Sequence, residues 1–229
     1  MDSPVPEDPA RNDPLPGARP GPGEEHNTGA PTPPRQAATV ILLRGGADTL
    51  EILLVQRTPE AKFMGGVWVF PGGAVDADDE DDGDDKDSDG NRAHRAAAIR
   101  ELREEAGIVL EDPTALVAFS RWITPAEVRI RFDTHFFLAP LPAGQEPHVD
   151  GEECVEHGWF SPQAALGAHA DGEIVLVFPT IAHLQQLARF SSAEALLEHA
   201  RDLVVEPILP RVILEGDSAR VLMPGDPGY

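Results

Sequence analysis

The chain has 229 residues, a formal net charge of −22 and a single cysteine, Cys154, so an internal disulfide scaffold is excluded. The low pI of about 4.5 argues against a broad surface for nucleic-acid backbones, because such surfaces need an excess of Lys and Arg. The N-terminal residues lack the basic and apolar segments of a secretory signal, and no stretch approaches the roughly 18 apolar residues of a membrane span. We therefore expect a soluble, cytoplasmic protein with no nucleic-acid or membrane partner.

Composition divides the chain into three parts. Residues 1–36 are rich in Pro, Gly and acidic residues and are predicted to form a disordered tail. Residues 37–190 alternate strand and helix patterns and are predicted to form the main domain, and residues 191–229 a C-terminal extension with a helix and a hairpin. Inside the main domain, residues 76–91 form an acidic insertion, in which ten of the fourteen residues from 76 to 89 are Asp or Glu. Such a run of like charges predicts a solvated loop.

Apolar patterns and turn residues predict the elements in chain order. β-Branched runs at 37–44 and 50–57 predict a hairpin, and the short strand 67–70 is expected to end in a turn at Pro71-Gly72-Gly73. A helix is predicted over 92–106, with Gly107 ending it. The remaining predictions are strands at 128–138, 154–160, 203–214 and 220–223, a weaker strand signal after residue 116, a short helix from Ser161-Pro162, and helices at 179–190 and 192–201.

Three carboxylates crowd one edge of the predicted helix 92–106. Glu105 follows Glu101 by four positions and Glu104 follows it by three, so the three side chains are neighbours on the helix surface. Like charges at this spacing destabilise a helix, and Mg²⁺ or Mn²⁺ would compensate them while bridging to substrate phosphates. The alternative is a solvated helix face, balanced by Arg100 and Arg103.

The same helix resembles the second half of the signature of the Nudix hydrolases. It matches at Arg100, Glu101, Leu102, Glu104, Glu105, Gly107 and Ile108, and Phe70-Pro71-Gly72-Gly73 matches the usual entrance to the first half. In the family the signature glycine precedes the arginine by 14 positions, whereas Gly73 precedes Arg100 by 27, so 13 residues are inserted. Counting back from Arg100 places Arg92 where the family has a glutamate. That glutamate is therefore missing, or is supplied by an acid of the insertion such as Asp76, Asp79 or Glu80.

The resemblance implies an α/β fold, an α/β/α sandwich with a mixed central sheet, to which this chain adds C-terminal helices and a small β-hairpin. It also implies hydrolysis of a nucleoside diphosphate linked to another group. The insertion, together with the segments 63–73, 122–125 and 131–137, is similar to the branch of the family that contains coenzyme A diphosphatases. Coenzyme A, acyl-coenzyme A, dinucleotides and nucleotide sugars remain open as small-molecule substrates, and the sequence carries no indication of oligomeric state.

The resemblance also implies roles for individual residues. Glu101, Glu104 and Glu105 would hold Mg²⁺ or Mn²⁺, Arg100 would orient these glutamates, and the backbone of Gly73 could approach a phosphate closely because it has no Cβ. The general base could be a signature glutamate such as Glu104, or an acid before Trp159. The acids there are Asp150, Glu152, Glu153 and Glu156, and the phosphate contacts proposed are Arg57, Arg129 and Arg131.

The sequence also permits two further interpretations. Asp85–Gly90 matches the first half of a calcium loop, but Ala96 stands where the bidentate acid is expected, which favours a simple solvated loop. A non-catalytic module that binds a nucleotide and regulates a partner is the alternative to an enzyme. Such modules usually lose signature glutamates, and the glutamates of the helix are present here, so the sequence favours an enzyme.

Overall fold

The structure is a computed structural model, and it describes residue 27 and residues 29–79, 91–215 and 218–229. The strands are β1 (Arg35–Arg44), β2 (Glu51–Arg57), β3 (Trp68–Val69), β4 (Gly72–Ala74), β5 (Val117–Ile123), β6 (Phe132–Pro140), β7 (Cys154–Phe160), β8 (Pro207–Ile208), β9 (Arg211–Glu215) and β10 (Ser218–Leu222). The helices are α1 (Arg92–Ala106), α2 (Pro162–Ala170), α3 (Phe178–Leu187) and α4 (Ala193–Arg201), with 3₁₀ turns at Ala77–Asp79 and Pro113–Ala115.

The first eight strands form one mixed sheet in the order β3-β2-β1-β6-β5-β8, with β4 paired to β1 and β7 paired to β2. Strand β1 runs parallel to β6 and antiparallel to β2 and β4. It is central and apolar on both faces, as is typical of a strand covered on two sides. The predicted mixed-sheet α/β sandwich is therefore confirmed, and β9 and β10 form the predicted small hairpin.

Each face of the sheet carries its own apolar layer. Val40 and Leu42 of β1 pack with Leu102 of α1. Ile41 of the same strand faces the opposite layer, which includes residues of α2, α3 and α4 such as Leu184. Helix α4 lies in the predicted C-terminal extension, yet its buried face packs in this layer. Strand β8 of the same extension pairs in parallel with β5 of the main sheet. Among the described helices, none is both long and apolar enough to cross a membrane.

Several predicted elements agree with the structure. The hairpin of β1 and β2, helix α1 and strand β7 lie where the sequence placed them. Gly107 ends α1 in a left-handed conformation with φ of 66°. Ser161 caps α2 by accepting a hydrogen bond from the Ala164 N–H, with Pro162 in the first turn.

The predicted turn at Gly72-Gly73 is wrong. These residues belong to β4, which pairs antiparallel with β1 through Gly73 opposite Ala38 and Gly72 opposite Thr39. Neither glycine has a positive φ, so conformational freedom is not why glycine stands there. A Cβ on Gly72 would collide with the backbone of Ala38 and Thr39, which makes close approach the requirement.

Two predicted strands are shorter than expected. The strand predicted over 128–138 begins at Phe132, because Thr124 and Arg131 form hydrogen bonds that hold the preceding residues in a turn. The strand predicted over 203–214 is divided into β8 and β9, with Pro210, which has no N–H for a ladder, between them.

The two acidic and proline-rich segments are described only in part. The predicted tail lies mostly outside the described residues, but β1 begins at Arg35, before the predicted end of the tail at residue 36. In the acidic insertion, Asp79 is only 6 % exposed, so the prediction of a solvated loop is wrong for this residue. The calcium-loop interpretation of Asp85–Gly90 lies outside the described residues.

Candidate active site

Helix α1 carries the signature glutamates across one end of the sheet, against β4. A Cβ on Gly73 would collide with the Glu101 carboxylate, so only glycine leaves room for this side chain. The Glu101 side chain is 12 % exposed and accepts a hydrogen bond of 2.8 Å from Arg100 Nη1. Burial, together with the nearby charges of Glu104 and Glu153, raises the pKa of Glu101, although Arg100 opposes the shift.

Glu105 is the buried acid of the group. Its side chain is 2 % exposed; one oxygen accepts the Gly72 backbone N–H at 2.9 Å, and the other lies 3.4 Å from Arg57 Nη1. Burial raises the pKa of Glu105 to about 7, and the charges of Glu101 and Glu153 add to this effect, while the Gly72 N–H and Arg57 oppose it. A carboxylate with so little compensation has the character of a cation ligand. Gly72, its backbone donor, was not among the predicted site residues.

Arg100 connects the helix to the strand side of the site. Its Nε and Nη2 donate to the two oxygens of Asp79 at 3.2 and 2.9 Å, and Nη2 also donates to the Ala74 carbonyl. Its Nη1 donates to Glu101 and, at 3.1 Å, to Glu104. Arg100 therefore holds the Glu101 carboxylate and connects it to Asp79 and to the Ala74 carbonyl.

Asp79 is the acid that pairs with this arginine. It stands six positions after Gly73, which is where the family pattern has its glutamate when the count runs forward from the glycine. Counting backward from Arg100 gave Arg92, an exposed residue of the first helical turn. The forward count would have selected Asp79 from the sequence. The extra residues therefore follow this position. Asp76 is more distant, with its Oδ2 3.7 Å from Arg100 Nη2.

The acids before Trp159 separate into different roles. Asp150 accepts backbone N–H groups of Glu152, Glu153 and Cys154, so its carboxylate holds the turn that leads into β7. Burial works to raise the pKa of Asp150, but these backbone donors together lower it. Glu153 lies near enough to Glu101 and Glu105 to raise the pKa of both. Its backbone carbonyl accepts the Thr58 N–H at 2.8 Å, directly after the strand that carries Arg57.

The other predicted residues differ in how they relate to this group. Glu152 and Glu156 are exposed, as is Glu153. Arg131 donates to the carbonyls of Thr124 and Thr32, so its guanidinium anchors the segment before β1 to the loop before β6. Arg129 is exposed in that loop. The structure thus brings Arg57, Gly73 and the glutamates together. Arg131 instead forms hydrogen bonds that join two backbone segments.

The residues present fit a divalent cation with an incomplete protein shell. Among the described residues, no group of three or more His, Cys, Asp or Glu side chains is arranged so that it could hold an ion by itself. Mg²⁺ keeps several waters and takes one or two carboxylates plus substrate phosphates, so a small carboxylate set suits it. Glu101 and Glu105 are the buried oxygen donors here, and Glu104 is 57 % exposed at the rim.

A mixed sheet lies between two helical layers, and the helix beside the Gly72-Gly73 strand carries the clustered carboxylates. A sequence model of the NUDIX domain matches residues 33–178. The chain therefore belongs to the Nudix family and is a hydrolase of pyrophosphate bonds, and enzymes of this family generally use divalent metal ions.

Relatives and solved structures agree with this assignment. The chain is 26 % identical to the acyl-coenzyme A diphosphatase NUDT19 of Homo sapiens, covering 85 % of this chain and 80 % of the relative. It is 27 % identical to the putative nudix hydrolase 7 of Caenorhabditis elegans, covering 78 % and 68 %. The crystal structure of a NUDIX hydrolase from Alicyclobacillus acidocaldarius is 28 % identical and superposes with a TM-score of 0.63, covering 73 % of this chain and 96 % of that one.

The buried Glu105 predicts a pH-dependent stability difference in metal-free protein. Burial raises the pKa of Glu105 from 4.5 to about 7, so the folded state favours the protonated carboxyl. The stability that the protonated form provides is fully present below about pH 4.5 and is lost as the pH rises through 7. In excess chelator at pH 8, we expect Glu105→Gln to be more stable than the wild type, by up to about 3 kcal/mol. The difference should shrink towards pH 4.5.

Urea unfolding of both proteins across this pH range measures the effect. Glu104→Gln is the matched control, because it removes a carboxylate of the same helix that is exposed to solvent. A difference between Glu105→Gln and the wild type that stays constant with pH would show that the buried charge is not its origin.

The Asp79–Arg100 pair predicts a loss of catalytic efficiency on substitution. Asp79→Asn removes the charge that holds the Arg100 guanidinium, so Arg100 can turn further towards the glutamates and compete with the cation. Outer partners of metal-site residues typically contribute about 10- to 100-fold in affinity or activity, and we expect a loss of about this size. Asp76→Asn is the control, since Asp76 is exposed and lies farther from Arg100; equal effects of the two variants would contradict the assignment.

Proposed function

We propose that this protein is a Mg²⁺- or Mn²⁺-dependent hydrolase that cleaves the diphosphate of a nucleoside diphosphate linked to another group. The observation that carries the proposal is the placement of the Glu101 and Glu105 carboxylates against the Gly72-Gly73 backbone, with Arg57 and Glu153 beside them. Coenzyme A and acyl-coenzyme A are the first substrates to test, because a curated relative is an acyl-coenzyme A diphosphatase. Dinucleotides and nucleotide sugars carry the same diphosphate.

The proposed roles follow from position and charge. Glu101 and Glu105 hold the cation, with Glu104 at the rim. When bound, a divalent cation neutralises diphosphate oxygens and activates water. Arg57 ends β2 with its guanidinium 3.4 Å from Glu105, so it can contact the same phosphates. Gly73 keeps the backbone side of the site free of a Cβ. Arg100 is a positioning residue for the glutamates.

Glu153 is proposed as the general base. Hydrolysis requires a proton to leave the attacking water, and a carboxylate beside the charged cluster can accept it. The charge of Glu153 raises the pKa of both Glu101 and Glu105, and this proximity to the cluster supports the assignment. The neighbouring acid Glu152, whose backbone N–H also donates to Asp150, is the natural comparison.

The other expectations from the sequence stay proposals. These are the three-part division of the chain, phosphate contacts from Arg129 and Arg131, and a cytoplasmic location. Arg129 and Arg131 lie at the same end of the sheet as Gly73, since β6, which follows them, pairs with the start of β1.

The function is tested by a panel of diphosphate substrates with product identification. We expect coenzyme A or acyl-coenzyme A, a dinucleotide and a nucleotide sugar to be cleaved at the diphosphate with different efficiencies. Cleavage should need Mg²⁺ or Mn²⁺ and should not be restored by Ca²⁺, whose coordination is longer and looser. Full activity in excess chelator, or cleavage at a bond other than the diphosphate, would contradict the proposal.

The base assignment is tested by two neighbouring substitutions. General bases typically contribute about 10²- to 10⁴-fold to the rate, so Glu153→Gln should lower kcat by about 100-fold or more. Glu152→Gln is the matched control and should stay within a few-fold of the wild type. A larger loss in Glu152→Gln than in Glu153→Gln would reverse the assignment.

A further inference from the structure

The loop between β6 and β7, residues 141–153, ends in Glu153 and contains no helix or strand. Glu153 is exposed, so packing of its own side chain does not hold it near the carboxylates of Glu101 and Glu105. A loop of this length without secondary structure is uncommon in a compact domain and is often functional. The position of Glu153 therefore depends on how the backbone of this loop is held.

The first anchor of the loop is the side chain of Gln145, which pairs with the segment after α1. Its Oε1 accepts the Val109 N–H at 2.8 Å, and its Nε2 donates to the Val109 carbonyl at 2.8 Å. A primary amide that bonds both backbone groups of one residue reproduces the exchange of hydrogen bonds between two antiparallel strands. Because the neighbours of Val109, Ile108 and Leu110, are buried in the α1 layer, the glutamine is bonded to a fixed part of the chain.

A second anchor joins the loop to the end of α1 itself. The His148 N–H donates to the Ala106 carbonyl at 2.9 Å, which satisfies one of the carbonyls that have no partner inside a helix end. A Cβ on Gly107 would collide with the His148 ring, so the loop lies directly against the residue that ends the helix. Ala106 follows Glu105, so this anchor is adjacent in the chain to a proposed cation ligand.

Asp150 then fixes the turn that carries Glu153. Its carboxylate accepts the backbone N–H groups of Glu152, Glu153 and Cys154 at 3.0 to 3.2 Å. Cys154 is buried and begins β7, and the Glu153 carbonyl accepts the Thr58 N–H at 2.8 Å. The backbone of Glu153 is thus held by Asp150 on one side and by the residue after β2 on the other.

These anchors connect Glu153 to the helix that carries the proposed cation ligands. The loop contacts α1 at His148 and reaches Glu153 five residues later. Glu153 then bonds to the residue after Arg57, and Arg57 Nη1 lies 3.4 Å from Glu105 on the same helix. In addition to burial, the nearby charge of Glu153 raises the pKa of Glu105, as this short connection implies.

We propose that Gln145 and Asp150 are positioning residues for Glu153, and that together they set the place of the proton acceptor relative to the cation ligands on α1. The inference rests on the proposed function, because it takes Glu153 as the general base. Both side chains act through the backbone of the loop. Displacing a reacting group by about 1 Å can lower the rate by about 100-fold, so these hydrogen bonds affect kcat.

Gln145→Met tests the anchor beside α1. Methionine has nearly the length of glutamine without its amide, and Val109 is exposed, so water can replace the lost partner. We expect kcat to fall by about tenfold, with the affinity for Mn²⁺ unchanged because Glu101 and Glu105 remain in place on the helix. Steady-state kinetics with a cleaved member of the substrate panel and calorimetric titration with Mn²⁺ measure the two quantities.

Gln163→Met is the matched control. Gln163 of α2 is exposed, and its Nε2 also donates to a backbone carbonyl, that of Ala188, at 2.9 Å. Helix α2 lies in the apolar layer on the other face of the sheet. Gln163→Met should therefore keep the kcat of the wild type within a few-fold.

Two variants of Asp150 separate a positioning role from a role as base. Asparagine keeps an oxygen that accepts backbone N–H groups and favours the same kind of turn, whereas alanine has no acceptor. Asp150→Ala should therefore lower kcat by about tenfold or more, and Asp150→Asn should lose much less. A base at this position would be lost in both variants, so equal losses would contradict the proposal.

The double variant tests whether Gln145 acts through Glu153. Once Glu153 has been replaced, Gln145→Met should cause no further loss of kcat, so the effects of Gln145→Met and Glu153→Gln should be strongly non-additive. The proposal is overturned if Gln145→Met has the kcat of the wild type, or lowers kcat by the same factor in the Glu153→Gln background. It is also overturned if Gln145→Met weakens Mn²⁺ binding as much as it lowers kcat. Failure of the proposed function looks different, because the wild type would then cleave no member of the diphosphate panel.

Discussion

The site depends on one buried carboxylate. Glu105 is enclosed between the Gly72 N–H of β4 and the Arg57 guanidinium of β2, and its charge is only partly compensated there. The apolar face of α1, with Ala98, Leu102 and Ala106, packs against the sheet and holds Glu105 in this position although burial disfavours its charge. The same packing brings Glu101, one turn earlier, over Gly73. A cation at this place would relieve the charge that burial leaves uncompensated.

The Asp79–Arg100 pair explains how the signature tolerates its insertion. The arginine on α1 binds both oxygens of an acid that still belongs to the segment after β4, and it also reaches the Ala74 carbonyl. The two halves of the signature are thus joined by side-chain contacts before the additional residues begin. Because the entropy of closing a loop grows slowly with its length, additional residues at this point disturb the geometry little. The constraint that matters is the contact between the halves, and their distance along the chain is secondary.

The parts of the fold governed by local signals could be predicted from the sequence. Helix α1 and strand β7 were found because helix formers, Gly107 and the Ser161-Pro162 cap mark their ends. Gly72-Gly73 could not be identified as a strand, since only its pairing with β1 makes it one. The start of β6 was misplaced because Arg131 and Thr124 form hydrogen bonds that no alternation pattern encodes.

In the candidate site, too, some features follow from local sequence signals and others depend on tertiary packing. The clustering of the α1 glutamates could be predicted from their spacing. The choice between neighbouring acids such as Glu152 and Glu153 could not, because it depends on how β7 pairs with the end of β2. That pairing is irregular at Gln56 and Arg57. Burial separates Glu105 from Glu104, and burial is a tertiary property. The sequence therefore indicates the chemistry of the site, and the structure indicates which of the candidate groups share it.

The most direct test of this account is the position of a bound cation. Crystals of the protein grown with Mn²⁺ would reveal the ion by its anomalous scattering. The account predicts Mn²⁺ in contact with carboxylate oxygens of Glu101 and Glu105, beside Gly73, with water completing its oxygen shell. Anomalous density at another group of residues, with Glu105 still bonded to Gly72 and Arg57 alone, would contradict it.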